Sequence, residues 1–213
     1  MVQPLLLASA SPRRRALLRL LTDDFAARAF DVDETPAPGE AAASLAERLA
    51  RVKAEAARRV AGDRLILAAD TVVAHRGAPL GKPVDRSDAL RMLLELRGRT
   101  HQVITAVALI APGGCVYHES VSSDVTMRDY DREEIERFVD SGRAADKAGA
   151  YAIQDAEFRP VAAMAGCYPN VVGLPLCAVA RGLLVCGLDS PLIRFFGPPE
   201  ACGLCDRARA LEW

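Results

Sequence analysis

Asp70 is the residue of this 213-residue chain that most needs a reason. It stands in LILAADTVVA (65–74) with apolar or β-branched neighbours on both sides, so it does not cap a strand end. A carboxylate inside a buried strand is costly unless it is paired, hydrogen-bonded or bound to a metal. A satisfied structural aspartate meets that condition, and so does one at work as a general base or a metal ligand. Glu34, in the acidic DVDE of 31–34, is either part of a solvated loop or a partner for Asp70. Together the two offer the oxygen ligands of a hard cation such as Mg²⁺, which commonly takes one or two carboxylates plus substrate phosphates.

Cations surround this acidic pair in the sequence. In LLLASASPRRRALL (5–18), Ser11 is placed to cap a helix with Pro12 at its first position, which sets Arg13, Arg14 and Arg15 in the first turn. Three cations at the positive end of a helix dipole make sense if an anion completes the site, and phosphate is the natural one. The alternative is a solvated basic turn. Arg13 and Arg14 are the pair expected to reach that anion, with Ser9 and Ser11 beside them, whereas Arg15 shares a face with Arg19 and is expected in solvent. Lys53 lies beside the apolar stripe of its helix, where a lysine either snorkels or reaches an anion. Lys82, between Gly81 and Pro83, sits in a stiff turn. Gln154, in YAIQD, carries an amide with the donor and acceptor needed to read a base edge, although loop glutamines are common.

The elements that must position these groups follow from periodicity and punctuation. Leu5–Ala8 reads as a buried strand and the following helix presents Leu17, Leu20 and Leu21. Ser44 and Glu47 have capping-box spacing before a helix with Leu45, Leu49, Val52 and Ala56 as its stripe. Residues 65–74 form a strand, Arg76-Gly77 a turn, and Ser87 begins a helix with Leu90, Leu93, Leu94 and Leu96, stopped at Gly98. HQVITAVALIA (101–111) and VYHESVSSDVTM (116–127) read as an antiparallel pair, followed by a helix near 131–140 and another begun by Pro175. Strands and helices mixed without strict alternation predict an α/β fold with a mixed sheet.

The chain is half apolar and a quarter charged with a net charge of −1, which speaks against a general nucleic-acid binder. No apolar stretch is long enough for a spanning helix, and no secretory signal is read, so the expectation is a cytoplasmic protein without a membrane partner. Of the six cysteines, Cys202 and Cys205 form a CGLC near the end, but no second pair or histidine spacing completes a zinc site. Free thiols are expected.

Taken together, these stretches resemble the Maf family of nucleoside triphosphate pyrophosphatases, also called septum formation inhibitor Maf. The matching residues are LLLASASPRRRALL (5–18), DVDE (31–34), RVKAEAA (51–57), LAADTVV (67–73), LGKP (80–83), THQVITAVAL (100–109), DKAGAYAIQD (146–155) and NVVGLPL (170–176). The resemblance implies a fold similar to that of inosine triphosphate pyrophosphatases, with two lobes around a cleft, over a domain of residues 1–190. The tail of 191–213 lies outside it. It further implies a homodimer and cleavage between the α and β phosphates, dependent on Mg²⁺ or Mn²⁺, with Asp70 as proton acceptor. Arg13, Thr71 and Gln154 are then linked to base selection, and the I-Q form resembles the branch acting on dTTP and UTP. Two family glycines are replaced by Ala152 and Asp155, and Pro169 lies where a glycine-rich stretch is expected. A pyrophosphatase for modified nucleotides and a nucleotide-binding regulator without turnover are the rival readings. The residues leave open whether Asp70 is the base or a metal ligand.

Overall fold

A computed structural model of the chain describes residues 5–188 and 204–211. Its organising element is a ten-residue strand, β3 (Ile66–His75), whose neighbours change along its length. One edge of β3 pairs antiparallel with β5 (Thr100–Ile110) from Ile66 to Ala74. The other edge is shared. β1 (Leu5–Leu7) runs parallel to it at Ile66 and Leu67, and β4 (Ala78–Leu80) folds back antiparallel from Val73 to His75. Between those two partners the edge of β3 from Ala68 to Val72 pairs with no strand among the described residues, and Asp70 is at its middle. β2 (Phe25–Ala27) pairs parallel with β1, and β6 (Val116–Met127) and β7 (Val161–Ala165) extend the far side antiparallel. The result is the mixed sheet of the expected α/β fold, in the order β2-β1-β3-β5-β6-β7 with β4 on the β3 edge.

Alternation along β3 and β5 creates three cores. The face bearing Leu6, Ile66, Ala68, Val72, Ala106 and Ala108 is covered by α2 (Ala42–Arg58). The buried side of α2 consists largely of alanines at 46, 50, 54 and 57, with Leu45 and Leu49, which lets the helix lie close to the sheet. This face differs from the expected stripe, because Val52 and Ala56 are only half-buried.

The opposite face holds two cores side by side. One gathers Leu5, Leu7, Leu67 and Leu109 under α1 (Pro12–Leu18), α5 (Tyr168–Val172) and α6 (Leu176–Val185). The other gathers Val73, Val103 and Val125 under α3 (Arg86–Leu96) and α4 (Arg132–Asp140). They are the two lobes, built on one sheet. A polar seam separates them at Thr71, Thr105, Ser123 and Asn170, all but Thr71 buried. The proton order along the seam follows from its chemistry. Thr105 donates to the Asn170 carbonyl (2.9 Å), so the 2.9 Å contact between the Thr71 and Thr105 hydroxyls must have Thr71 as donor. The Asn170 amide donates to the Val103 carbonyl (2.9 Å) and the Ser123 hydroxyl (2.8 Å).

Several helix starts differ from expectation. Ser11 does cap α1, accepting from the Arg14 N–H at 3.3 Å, with Pro12 in the first turn. Ser44, however, lies inside α2, whose N-cap is Ala41 without a side-chain bond, and Glu47 instead accepts from Ser120 at 2.7 Å. Asp85 rather than Ser87 caps α3, accepting from the Asp88 N–H at 2.8 Å. The side of α3 that is buried is Ala89, Met92, Leu93 and Leu96, and Leu94 is exposed. In the 191–213 segment, α7 (Leu204–Arg209) packs Leu204 and Ala208 into the core of Leu5 and Leu7 and sets Arg209 over the Tyr168 ring, whereas Cys202 lies outside the described residues.

Replacing Asn170 by leucine fills the same space but removes the amide that donates to the Val103 carbonyl and to Ser123, whose hydroxyl then keeps the Cys167 N–H at 3.0 Å as its donor. Asn170→Leu is expected to lower unfolding free energy by about 1–3 kcal/mol, read as a lower urea midpoint with an unchanged slope.

Candidate active site

The gap in the β3 edge opens into a cavity of about 740 Å³, a size suited to a small-molecule ligand. Ser9, Ser11, Arg13, Arg14, Glu34, Lys53, Asp70, Thr71, Lys82 and Gln154 all line it. Residues from six separate stretches of the chain therefore converge on one space, at the carboxyl end of the parallel strand β1, where open α/β sheets place their ligands.

Asp70 and Thr71 are consecutive in β3 and so point to opposite faces of the sheet. Asp70 faces α2, is 7% exposed, and accepts from Lys53 Nζ at 2.6 Å. Lys53 lies on the buried alanine side of α2, and its ammonium also contacts Glu34 Oε1 at 2.6 Å. One lysine thus bridges the two acidic candidates. Burial pushes the Asp70 carboxyl above its usual range, against the charge and hydrogen bond of Lys53 and the charge of Arg14, while Glu34 adds to the rise. Glu34 is shifted the other way. Burial acts to raise it, but the hydrogen bond and charge of Lys53, with Lys82 and Arg14, hold it below its usual range.

Thr71 faces the seam. Arg14 Nε donates to the Gly173 carbonyl at 2.8 Å and Nη2 to the Thr71 hydroxyl at 3.1 Å, with Nη1 3.5 Å from Ser9 Oγ. A side chain at Gly173 (φ 121°) would come within 3.3 Å of the Thr71 hydroxyl and 3.5 Å of Arg14 Nε, so glycine keeps this seat open. Ser9 Oγ accepts from the Ser11 N–H at 3.1 Å, which holds the turn between β1 and α1. The Arg14 guanidinium is thus largely engaged with the protein. Arg15, by contrast, is not among the residues that line the cavity; it is half-buried rather than in solvent as expected, and it donates to the Ala10 carbonyl at 3.3 Å.

On the far wall, Nε2 of Gln154 is buried without a hydrogen-bond partner among the described residues. The substitution at Asp155 has a local role. Its carboxylate accepts from the Phe158 N–H (2.8 Å) and from Arg143 (3.1 Å), closing the loop against the core under α3 and α4. The expected glycine-rich stretch is instead the edge strand β7 followed by α5, with Pro169 in its first turn. Asp146, Lys147 and Tyr151 also line the cavity and were not singled out from sequence, although all three lie in the DKAGAY run. Lys147 pairs with Asp146 at 2.5 Å.

The donor chemistry fits a hard divalent cation within limits. Two carboxylates converge within reach of one ammonium, and among the described residues no group of three or more His, Cys, Asp or Glu side chains is arranged to hold a metal. A cation here would therefore take further ligands from a bound anion, as Mg²⁺ commonly does with phosphates.

The family described as Maf-like protein matches residues 4–185. A dTTP/UTP pyrophosphatase of Hahella chejuensis (strain KCTC 2396) is 47% identical over 81% of this chain and 87% of its own length. A protein of the same name from Dehalococcoides mccartyi (strain CBDB1) is 41% identical over 94% of this chain and 90% of its own. Among solved structures, the Staphylococcus aureus Ham1 protein aligns over 74% of this chain and 79% of that one, at 15% identity and a TM-score of 0.47.

Removing Lys53 leaves Asp70 buried beside a second carboxylate, which moves its pKa further up. A folded-state pKa above the unfolded one contributes stability below the unfolded value and loses it as pH rises through the folded value. Lys53→Met is therefore expected to be less stable than wild type by about 3 kcal/mol near neutrality. That deficit should shrink as pH is lowered towards about 4–5, because protonating Asp70 removes the unpaired charge. Thermal melts of both proteins across that range measure it.

Proposed function

The chain belongs to the Maf family, and from that membership we propose that it is a nucleoside triphosphate pyrophosphatase acting on dTTP and UTP. The reaction releases the nucleoside monophosphate and pyrophosphate, a step in nucleotide-pool housecleaning. The observation that carries the reading is Asp70, a buried carboxylate with a raised pKa at the gap in the sheet, tied to Lys53 and flanked by cations in one cavity.

Asp70 accepts a proton from the attacking water at the α-phosphorus. Its raised pKa makes it a stronger base than an exposed aspartate, which favours proton transfer near neutral pH. Lys53 keeps that carboxylate in place and, with Arg13 and Lys82, offsets charge on the phosphates. Ser9 and Ser11 shape the turn over which the phosphates lie. Arg14 acts from within the wall, fixing the turn to Thr71 and Gly173 as well as adding positive charge. Asp70 and Glu34 would hold Mg²⁺ or Mn²⁺, and such an ion, when bound, supplies further neutralisation of the phosphate oxygens.

Gln154 reads the base. Uracil and thymine present an acceptor at O4 beside a donor at N3, and one amide matches both, whereas cytosine reverses the pattern. The unpartnered Nε2 of Gln154 supports this role, because it is a buried donor awaiting an acceptor. The homodimer and the cytoplasmic setting implied by the family are part of the same reading. No helix among the described residues is long and apolar enough to cross a membrane.

Pyrophosphate release from a panel of triphosphates with Mg²⁺ or Mn²⁺ tests the proposal. UTP and dTTP should be turned over in preference to CTP and purine triphosphates. Equal use of CTP or GTP would favour a broader housecleaning enzyme, and no turnover of any triphosphate would favour a binding protein. Asp70→Asn should reduce turnover by about 10²-fold or more while the protein stays folded. Gln154→Ala should erode the preference for UTP over CTP more than it slows UTP, since unpaired polar groups in the site enforce rejection.

A further inference from the structure

The core beside the cleft contains polar groups that the proposed reaction does not use. His101 on β5 is 3% exposed and His75 on β3 is 5% exposed. Ala74 pairs with Gln102, so the two histidines come opposite each other. Both ring nitrogens of His75 and Nδ1 of His101 are buried without a hydrogen-bond partner among the described residues. Apolar side chains of similar size would avoid that cost, which is about 1–3 kcal/mol for each orphaned group. The remaining nitrogen, His101 Nε2, is 2.6 Å from the Tyr151 hydroxyl, and the two rings meet edge to face. Burial, reinforced by the charge of His75, pushes His101 down to about 4, so the ring is neutral near physiological pH.

Tyr151 occupies a joint in the cleft wall. It lines the cavity and lies three residues before Gln154. Just ahead of it, Gly149 and Ala150 both adopt left-handed backbone, with φ of 69° and 61°. For alanine that conformation costs about 1–2 kcal/mol, so the surrounding structure must hold it. At 149 a Cβ would approach Val73 Cγ1 to 3.0 Å, and glycine allows the segment to close onto β3. The Gly149 N–H donates to the Gly81 carbonyl at 3.0 Å, next to Lys82. One short segment is therefore attached to the Lys82 turn at one end and to the Gln154 loop at the other.

We infer that His101 is a positioning residue for the base side of the cleft, acting through its hydrogen bond to Tyr151 to place Gln154 and the Lys82 turn. The inference rests on the pyrophosphatase reading above. It gives the costly, neutral His101 a task in this core: the placement of a loop rather than stability.

The test compares wild type, His101→Phe, Tyr151→Phe, the double variant and His101→Gln. Each is measured for kcat and KM with UTP and CTP, and for amide hydrogen exchange over residues 147–155. His101→Phe and Tyr151→Phe should each raise KM for UTP about tenfold and narrow the UTP-to-CTP ratio of kcat/KM by a similar factor, with kcat within about threefold of wild type. The double variant should be no worse than either single one, because both remove the same bond. His101→Gln offers an amide nitrogen near the position of Nε2 and should restore the ratio. Exchange should quicken in the phenylalanine variants. Quicker exchange with unchanged KM and unchanged ratio would mean a structural role alone and overturn the inference, as would additive losses in the double variant. If His101→Phe does not fold, Tyr151→Phe and His101→Gln give the same decision. A wild type inactive on every triphosphate would overturn the pyrophosphatase reading, and the inference with it, before any variant is compared.

Discussion

The Lys53 ammonium, held at 2.6 Å from both Asp70 and Glu34, is the interaction on which the rest of the structure depends. A carboxylate as buried as Asp70 cannot stand in a strand alone. Its partner must come from α2, and a lysine can reach it only if the helix lies close to the sheet. The alanines at 46, 50, 54 and 57 make that approach possible, against Ala68, Ala106 and Ala108 on the sheet side. Larger residues would give a better-filled core and a broken ion pair. Core packing and site chemistry are therefore one constraint on this face.

The second constraint is the interrupted edge of β3. Had β1 and β4 met, Asp70 and Thr71 would lie under continuous sheet, and no ligand could approach them. Because they stop short of each other, consecutive residues of one strand serve different ends. Asp70 turns its charge towards α2 and the cavity, and Thr71 starts the proton-ordered seam that divides the other face into two cores. Arg14 joins the two systems, since its guanidinium bonds Thr71 and Gly173 while its charge is felt at Asp70. The cleft is therefore a place where one sheet carries two separately packed lobes, rather than a slot between independent domains.

Much of this was legible in the sequence, for a physical reason in each case. Asp70 stood out because its apolar surroundings leave few ways to satisfy a charge, and Ser11-Pro12 because a cap and a first-turn proline are local chemistry. The long β5–β6 pair was clear from its turn and its length. Misreadings arose where two local signals competed. Ser44 and Ser87 have capping chemistry, but Ala41 and Asp85 hold the cap positions in the fold. The bridging position of Lys53 was hidden because its helix buries alanines, which weigh little in a hydrophobic stripe. Contacts between distant segments left no local mark at all: the seat of Arg14 on Gly173, the tie of Asp155 to Arg143 and the strand β7 are visible only once the sheet is assembled.

In the proposed reaction the gap in β3 is where water would be activated against an anhydride whose phosphates would lie over the cationic turn. Which phosphorus is attacked decides whether Asp70 is positioned for that task. Hydrolysis of UTP in water enriched in the heavy oxygen isotope, with the products weighed by mass spectrometry, reads it directly. Attack at the α-phosphorus puts the label in the nucleoside monophosphate and leaves pyrophosphate unlabelled. Label in the pyrophosphate would place the attack on the β-phosphorus and contradict the proposed reaction.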